Sequence, residues 1–211
     1  MSGSEHKSDS GDGGESYEFV VPPFLADPNS SSNTSEARVS HMHMELSADF
    51  STKTLTGFVD LTVLAMADGA EHVCLDAKAL ALEKCIEKSS GKPLKYSLEQ
   101  LAGDFGSKMS VELPDACSAK GSSCVIRISY STSPNSSGIQ WLPPAQTKGG
   151  KHPYLFTQHQ AIHARAFVPC QDTPCKQINH QNVFSLFCSS FYIQLLFVLE
   201  KQRINARTLL K

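Results

Sequence analysis

The sequence predicts an all-β fold, an antiparallel β-sandwich-like domain, and two patterns support this class. From Val39 onward apolar and polar residues alternate with a period of two, which is typical of half-buried strands. Further along the chain, short apolar runs are separated by turn residues at regular intervals, as in sandwiches of short strands. With 211 residues and 40% hydrophobic content, the chain is long enough to bury one core.

The first two strands are predicted to form a hairpin around a polar turn at 51–53. In the first strand the apolar side holds Met42, Met44, Leu46, Ala48 and Phe50. Its polar side holds His41, His43, Glu45, Ser47 and Asp49. The second strand alternates Leu55, Gly57, Val59, Leu61 and Val63 with Thr54, Thr56, Phe58, Asp60 and Thr62. His41 and His43 are therefore expected on the solvent face and not as metal ligands.

Four shorter strands are predicted after the Asp68-Gly69 turn, at 72–76, 79–85, 108–113 and 124–130. The apolar run at 80–82 could equally open a short helix, and the pattern leaves both alternatives open. Residues 134–150 are rich in Pro, Gly and Ser and are predicted to form a loop. Trp141, the single tryptophan, is expected to anchor that loop in the core.

Composition divides the chain into a leader, a domain and a tail. Residues 1–16 are polar and contain no apolar run, which predicts a disordered leader, no signal peptide and a cytoplasmic location. Residues 17–174 are predicted to form the β-domain, and residues 175–211 a divergent hydrophobic tail. The stretch 183–199 permits three interpretations: an alternatively spliced tail, a substitute strand or helix packed on the sandwich, or a tail anchor. A membrane span needs about 20 apolar residues, so the anchor is the least favoured and no membrane partner is predicted.

Charge and cysteine content exclude further classes of protein. The net charge of −2 and the lack of a basic stripe with interleaved aromatics argue against nucleic-acid binding. The 7 cysteines form no C-x-x-C pair and follow no secretory signal. Reduced thiols in a cytosolic protein are the simplest interpretation.

Residues 154–174 carry the most informative chemistry of the chain. Gln158 and Gln160 stand two apart, so on an extended strand their amides project from one face. A carboxamide offers an acceptor and two donors, which suits it to hold an amine or a carboxylate. Arg165 has a planar guanidinium that pairs with a carboxylate, and Asp172 is its candidate partner or a turn cap. The residues alone leave open the plainer alternative that these side chains only stabilise a loop.

Metal-binding patterns in the same segment are incomplete. His159 and His163 have the spacing of the zinc motif H-E-x-x-H, but Gln160 stands where that motif needs a glutamate as general base. Adding Cys170 and Cys175 to the histidines gives no spacing typical of a structural zinc site. No metal ligand and no catalytic residue is therefore predicted in this chain.

The segment 154–174 resembles a signature of the gluzincin zinc metalloaminopeptidases, in the branch that holds leukotriene A(4) hydrolase and aminopeptidase B. The likeness covers 17–174 and includes Ala-Asp-Pro at 26–28, the strand pair at 39–63, the Asp68-Gly69 turn with Leu-Asp at 75–76, and Ser-Gly-Ile-Gln-Trp-Leu at 137–142. It implies the saddle-shaped N-terminal β-domain of such an enzyme, which lines the peptide-binding cleft.

The resemblance also implies roles for individual residues. In the family the second glutamine of the signature contacts the free amino group of the peptide substrate, and Gln160 matches that position. Gln158 matches the first glutamine, which is also near the cleft. Arg165 and Asp172 match signature positions that are mainly structural. These four residues are the site predicted for this chain, two for substrate binding and two for structure.

The resemblance further implies an enzyme without its catalytic half. No H-E-x-x-H occurs in the 211 residues, and the zinc ligands, Gly-rich loop and transition-state tyrosine of the family are expected beyond Pro174. The predicted function is that of a truncated N-terminal domain, which in its parent contributes amino-terminus binding to peptide or epoxide hydrolysis. Zinc is expected in the parent and no cofactor in this chain.

An alternative function is a non-catalytic or regulatory short form that binds the full-length enzyme or a peptide. A sandwich without its remaining strands exposes an apolar face and an unpaired edge. Self-association or chaperone binding through that face is therefore the partner expected in this alternative.

Overall fold

The structure, a computed structural model, describes residues 27–173 and the backbone of a strand at 183–187. The described residues form ten strands in three sheets. In chain order they are β1 (Ala37–Asp49), β2 (Thr54–Ala65), β3 (His72–Ala77), β4 (Leu80–Glu87), β5 (Tyr96–Gln100), β6 (Ser107–Glu112), β7 (Ser123–Thr132), β8 (Ile139–Leu142), β9 (Tyr154–Thr157) and β10 (Val183–Phe187). Short 3-10 helices lie at Asp115–Cys117, Pro144–Gln146 and Ala164–Ala166.

The largest sheet has the strand order β10-β1-β2-β7-β4, and all its pairs are antiparallel except β10 with β1. The predicted hairpin is confirmed as β1 and β2, with Met44 facing Val59 across the pair. Lys53 turns the chain with a φ of 56°. The apolar sides face inward as predicted, since Met44, Leu46, Leu55 and Val59 are all buried.

The two smaller sheets are β3-β6-β5 and the hairpin β8-β9. Strands predicted at 72–76, 108–113 and 124–130 are confirmed as β3, β6 and β7. The run at 80–82 opens the strand β4 and not a helix. The prediction of a loop over 134–150 is wrong in part, because Ile139–Leu142 forms β8 and pairs with β9. Trp141 lies on that strand, and its ring meets Phe50 edge-on at 5.1 Å.

One hydrophobic core joins the three sheets. Its buried residues come from the inward side of the largest sheet and from β3, β6, β8 and β9, and include Leu61, Ile128, Leu75, Met109 and Leu155. Burying a side chain of this size contributes about 1.5–3 kcal/mol. The predicted antiparallel all-β class is confirmed, because each sheet needs the others to cover its apolar side.

The polar side of the largest sheet departs from a simple solvent face at Asp60, which is 3% exposed. Arg127 donates to both its carboxylate oxygens at 2.6 and 2.8 Å, and Lys88 approaches to 2.8 Å. Burial opposes ionisation, but these two cations outweigh it and hold the pKa of Asp60 below its ordinary value. Arg127 also lies over the Phe58 ring. Neighbouring side chains therefore cover Asp60, although the alternation along the strand places it toward solvent.

The backbone of 183–187 pairs in parallel with His43–Ser47 of β1. This is the geometry that the second interpretation of the tail, a substitute strand, requires. The predicted leader 1–16 and the rest of the tail lie outside the described residues, including 188–199, the greater part of the stretch 183–199 for which a tail anchor is the third interpretation. In the part of the chain that the structure describes, no helix has the length and apolar character needed to cross a membrane.

Candidate functional site

The candidate site is the loop that follows β9, residues 158–173, called the signature loop below. Gln158 and Gln160 are both exposed, and His159 between them is 3% exposed. The expectation that both glutamines lie on an extended strand is wrong, because β9 ends at Thr157. The His163 N–H donates to the carbonyl of His159 at 3.0 Å, which closes a turn around Gln160. Both glutamines are nevertheless accessible to solvent.

The two histidines of the loop have separate environments. The His159 ring packs beside Phe167, with ring centroids 5.0 Å apart. Burial lowers the pKa of His159 to about 4, and the nearby His163 adds to the effect. His163 Nδ1 instead lies 2.8 Å from the Ser137 hydroxyl. The two rings therefore have different packing and hydrogen-bond partners.

In the described part of the chain, no set of three or more His, Cys, Asp or Glu side chains is placed to hold a metal ion. Cys175, one member of the weak pattern considered above, lies outside the described residues.

The structure brings Arg165 and Asp172 together. Arg165 is 1% exposed and donates through Nε to Asp172 Oδ2 at 3.0 Å. Its Nη1 donates to the carbonyl of Phe105 at 3.1 Å, which attaches the loop to the β5–β6 hairpin. Burial raises the pKa of Asp172, although Arg165 opposes that rise. The pair therefore fixes the second half of the signature loop against the three-stranded sheet.

Asp76 is a third member of this cluster, and the sequence patterns assigned it no role. It is fully buried at the end of β3, and its Oδ2 lies 3.8 Å from Arg165 Nη2. It also accepts hydrogen bonds from the Asp172 N–H at 3.1 Å and the Ser31 N–H at 2.8 Å. A usable signal existed, because Asp76 and Arg165 are opposite charges that each interrupt an apolar run.

Gln171 is another residue that sequence patterns did not single out. Its amide donates to the carbonyl of Ala37 at 2.9 Å and accepts from the Val39 N–H at 3.0 Å. This side chain therefore makes the two hydrogen bonds that a neighbouring strand would make with the start of β1. Nothing in the sequence separates Gln171 from an ordinary loop glutamine.

Comparison with known proteins identifies the class. Residues 38–181 match the sequence model of the Peptidase M1 N-terminal domain, so the chain belongs to that family. The predicted gluzincin resemblance is confirmed. The match runs past Pro174, the last residue of the predicted resemblance, and the division of the chain at 174 stays a prediction.

Particular relatives narrow the comparison to one branch of the family. The chain is 34% identical over 162 residues to leukotriene A-4 hydrolase of Xenopus laevis, covering 77% of this chain and 26% of that protein. It is 37% identical over 149 residues to leucine aminopeptidase 2 of Sclerotinia sclerotiorum, covering 70% of this chain and 24% of that protein. This chain thus spans about a quarter of the length of these relatives.

Solved structures agree in fold with the sequence relatives. Native leukotriene A4 hydrolase from Saccharomyces cerevisiae superposes with a TM-score of 0.66 and 28% identity, over 77% of this chain and 25% of that one. Yeast LTA4 hydrolase solved in complex with bestatin gives a TM-score of 0.63 and 29% identity, over 73% of this chain and 23% of that one. The fold is therefore that of the N-terminal domain in an LTA4 hydrolase-like metalloaminopeptidase.

Proposed function

We propose that this chain is the β-domain that holds the free amino terminus of a peptide for an LTA4 hydrolase-like zinc aminopeptidase. Gln160 is the first contact and Gln158 the second. The observation that carries this function is the exposure of both amides on either side of the buried His159. The names of the aminopeptidase and hydrolase relatives support a peptide ligand.

The chemistry of the two glutamines fits an ammonium group. A carboxamide oxygen accepts from N–H without introducing a charge that would need a counter-ion. The buried Arg165 and Asp172 pair holds the rest of the loop against the domain, which limits the entropy lost when a ligand binds. An amide on a preorganised backbone therefore contributes more to binding affinity than the same amide on a mobile chain.

Zinc and hydrolysis belong to the longer relatives in this proposal. The M1 family is a family of zinc metallopeptidases, whereas the described residues of this chain include no group of three or more metal-binding side chains. The 211 residues by themselves are proposed to bind a peptide terminus and not to cleave it. Stoichiometric zinc in the purified, untagged chain, or release of leucine from a zinc-supplemented peptide assay, would contradict this part.

The binding claim is tested by an NMR titration of the isotope-labelled chain with leucyl-glycyl-glycine. The side-chain amide signals of Gln160 and Gln158 are expected to shift. Q160A should weaken binding by about tenfold or more, because a hydrogen bond to a charged group contributes about 1.5–3 kcal/mol. Q158A should have a smaller effect in the same direction.

Two controls separate this contact from general changes in the protein. Q146A removes an exposed glutamine outside the signature loop and should leave the affinity unchanged. The N-acetylated tripeptide lacks the ammonium group and should bind more weakly to the wild type. Equal affinities for both peptides, or no effect of either loop substitution, would exclude the proposed function.

A second candidate function, self-association, is favoured by the apolar surface at β5. Tyr96, Leu98 and Phe105 are 38%, 51% and 39% exposed, and β5 is an edge strand of its sheet. Sedimentation over a concentration series should then show a dimer that L98S weakens about tenfold or more. E99Q, on the opposite face of β5, is the matched control, and a monomer at all concentrations would exclude this candidate.

A further inference from the structure

Three residues before β8, Ser136, Ser137 and Gly138, contact the signature loop and are called the support segment below. The Ser136 hydroxyl is buried and donates to the carbonyl of Ala166 at 2.7 Å. The Gly138 N–H donates to the same Ser136 oxygen at 3.3 Å. The support segment is therefore itself fixed to the 3-10 helix of the loop.

The support segment contacts the glutamine-bearing turn at both ends. At the start, the Gln158 N–H donates to the carbonyl of Gly138 at 3.1 Å. At the end, the Ser137 hydroxyl and His163 Nδ1 are 2.8 Å apart. Gln160 lies between these two attachments, inside the turn closed by the His163 N–H and the His159 carbonyl.

Gly138 permits this close approach because it has no side chain. A Cβ at this position would lie 2.8 Å from the carbonyl oxygen of His163 and 3.2 Å from Cδ2 of His159. Backbone cannot move aside as readily as the end of a flexible side chain. The packing of the turn onto the support segment therefore depends on glycine at this position.

We propose that Ser137 and His163 are positioning residues for amino-terminus recognition. Their hydrogen bond holds the main chain of 158–163 in one conformation and so directs the Gln158 and Gln160 amides toward the same ligand group. Fixing a loop in its bound conformation strengthens binding by reducing the ordering cost. The identity of the ligand rests on the proposed function, whereas the fixing of the loop does not.

The loop-fixing step is tested first without ligand, by amide hydrogen exchange on the 211-residue chain. S137A should speed exchange at the Gln158 and His163 amides by about fivefold, because their hydrogen bonds open more often. The amides of Met44 and Val59 in the β1–β2 ladder should exchange as in the wild type. Unchanged exchange at Gln158 and His163 would overturn the proposal.

The ligand-dependent step is tested by the ratio of affinities for leucyl-glycyl-glycine and its N-acetylated form. S137A and H163L should lower that ratio by about threefold to tenfold, since the amides lose their fixed direction. S137T retains the hydroxyl and H163N retains a hydrogen-bonding atom near the Nδ1 position, so both should restore the ratio. A general loss of stability would weaken both peptides alike and leave the ratio unchanged.

The two experiments distinguish the two possible failures. If the wild type has no preference for the free amine but S137A speeds exchange in the loop, the proposed function fails and the positioning step stands. If the wild type has that preference and S137A alters neither exchange nor the ratio, the positioning step is overturned. Ser137 is exposed, so its variants should fold even if His163 variants do not.

Discussion

Arg165 Nε donates to Asp172 Oδ2 at 3.0 Å, and both side chains are withdrawn from solvent, with exposures of 1% and 9%. The contact joins residues on either side of a buried loop segment. Because Asp76 lies beside the same guanidinium, one cation is shared by two carboxylates. Removing the cation therefore leaves two buried carboxylates without a counter-ion.

R165M is expected to lower the free energy of unfolding by about 3–5 kcal/mol, the usual cost of breaking a buried ion pair from one side. Urea denaturation followed by circular dichroism measures this change. K95M is the matched control, because Lys95 is 86% exposed and 3.5 Å from Glu112. Its effect should stay below about 1 kcal/mol. Similar effects of the two variants would show that the cluster around Arg165 contributes little.

Q171E tests the orientation of the amide that completes β1. The carboxylate can still accept from the Val39 N–H, but it places an oxygen against the carbonyl of Ala37. The loss is expected to be about 2 kcal/mol or more, because a buried carbonyl loses its donor. Q146E on the exposed surface should be neutral within about 0.5 kcal/mol. An unchanged urea midpoint for Q171E would show that the hydrogen bonds of Gln171 to β1 contribute little to stability.

His159 predicts an acid-dependent loss of stability. Its pKa is about 4 in the folded protein against an ordinary value of 6.5, so between these values the unfolded chain binds a proton that the folded chain does not. Stability from this group is therefore complete above about pH 6.5 and falls as the pH drops toward 4. The full difference is about 3 kcal/mol, at about 1.36 kcal/mol for each unit.

Urea midpoints at pH 7.5, 5.5 and 4.0 measure this dependence. H159L should flatten the profile over that window, whereas H72Q, at an exposed position, should keep the wild-type slope. Carboxylates with lowered pKa, such as Asp60, affect all three proteins equally at the acid end. Parallel profiles for H159L and the wild type would show that His159 is not the titrating group.

Gly57 on β2 is expected to tolerate no side chain. A Cβ there would lie 3.0 Å from the carbonyl carbon of Glu45 and 3.1 Å from Cα of Leu46, both backbone atoms of β1. G57A should therefore destabilise the protein by about 3 kcal/mol or more. G91A is the control, because its φ of 70° costs about 1–2 kcal/mol but a Cβ there meets nothing within 4 Å. Equal losses would mean that the β1–β2 backbone adjusts freely.

Sequence patterns identified the long strands well because their burial is one-sided. In β1 the buried Met44 and Leu46 flank the less buried Glu45, and in β2 the buried Leu61 and Val63 flank the less buried Thr62. β5 was missed because all five of its residues are exposed, and β8 was missed because it has only four residues. Strands this short or this exposed carry too little alternation to be recognised.

The residues of the candidate site also divide into those that a sequence motif identifies and those that it does not. Gln158, Gln160, Arg165 and Asp172 could be selected from one segment, because the motif that contains them is continuous in sequence. Gln160 and Gln158 stay predictions as substrate contacts. The residues that contact the signature loop from outside it come from distant parts of the chain. No local sequence pattern connects them to the loop.

By itself the sequence determined the all-β class, the β1–β2 hairpin, the family and the segment that carries the candidate site. These features follow from local periodicity and a contiguous motif. Only the tertiary structure decided that Asp76 lies beside Arg165, that Gln171 bonds to the start of β1, and that the support segment contacts the turn around Gln160. Such contacts join residues tens of positions apart, and they form only when packing of the sheets brings those residues together.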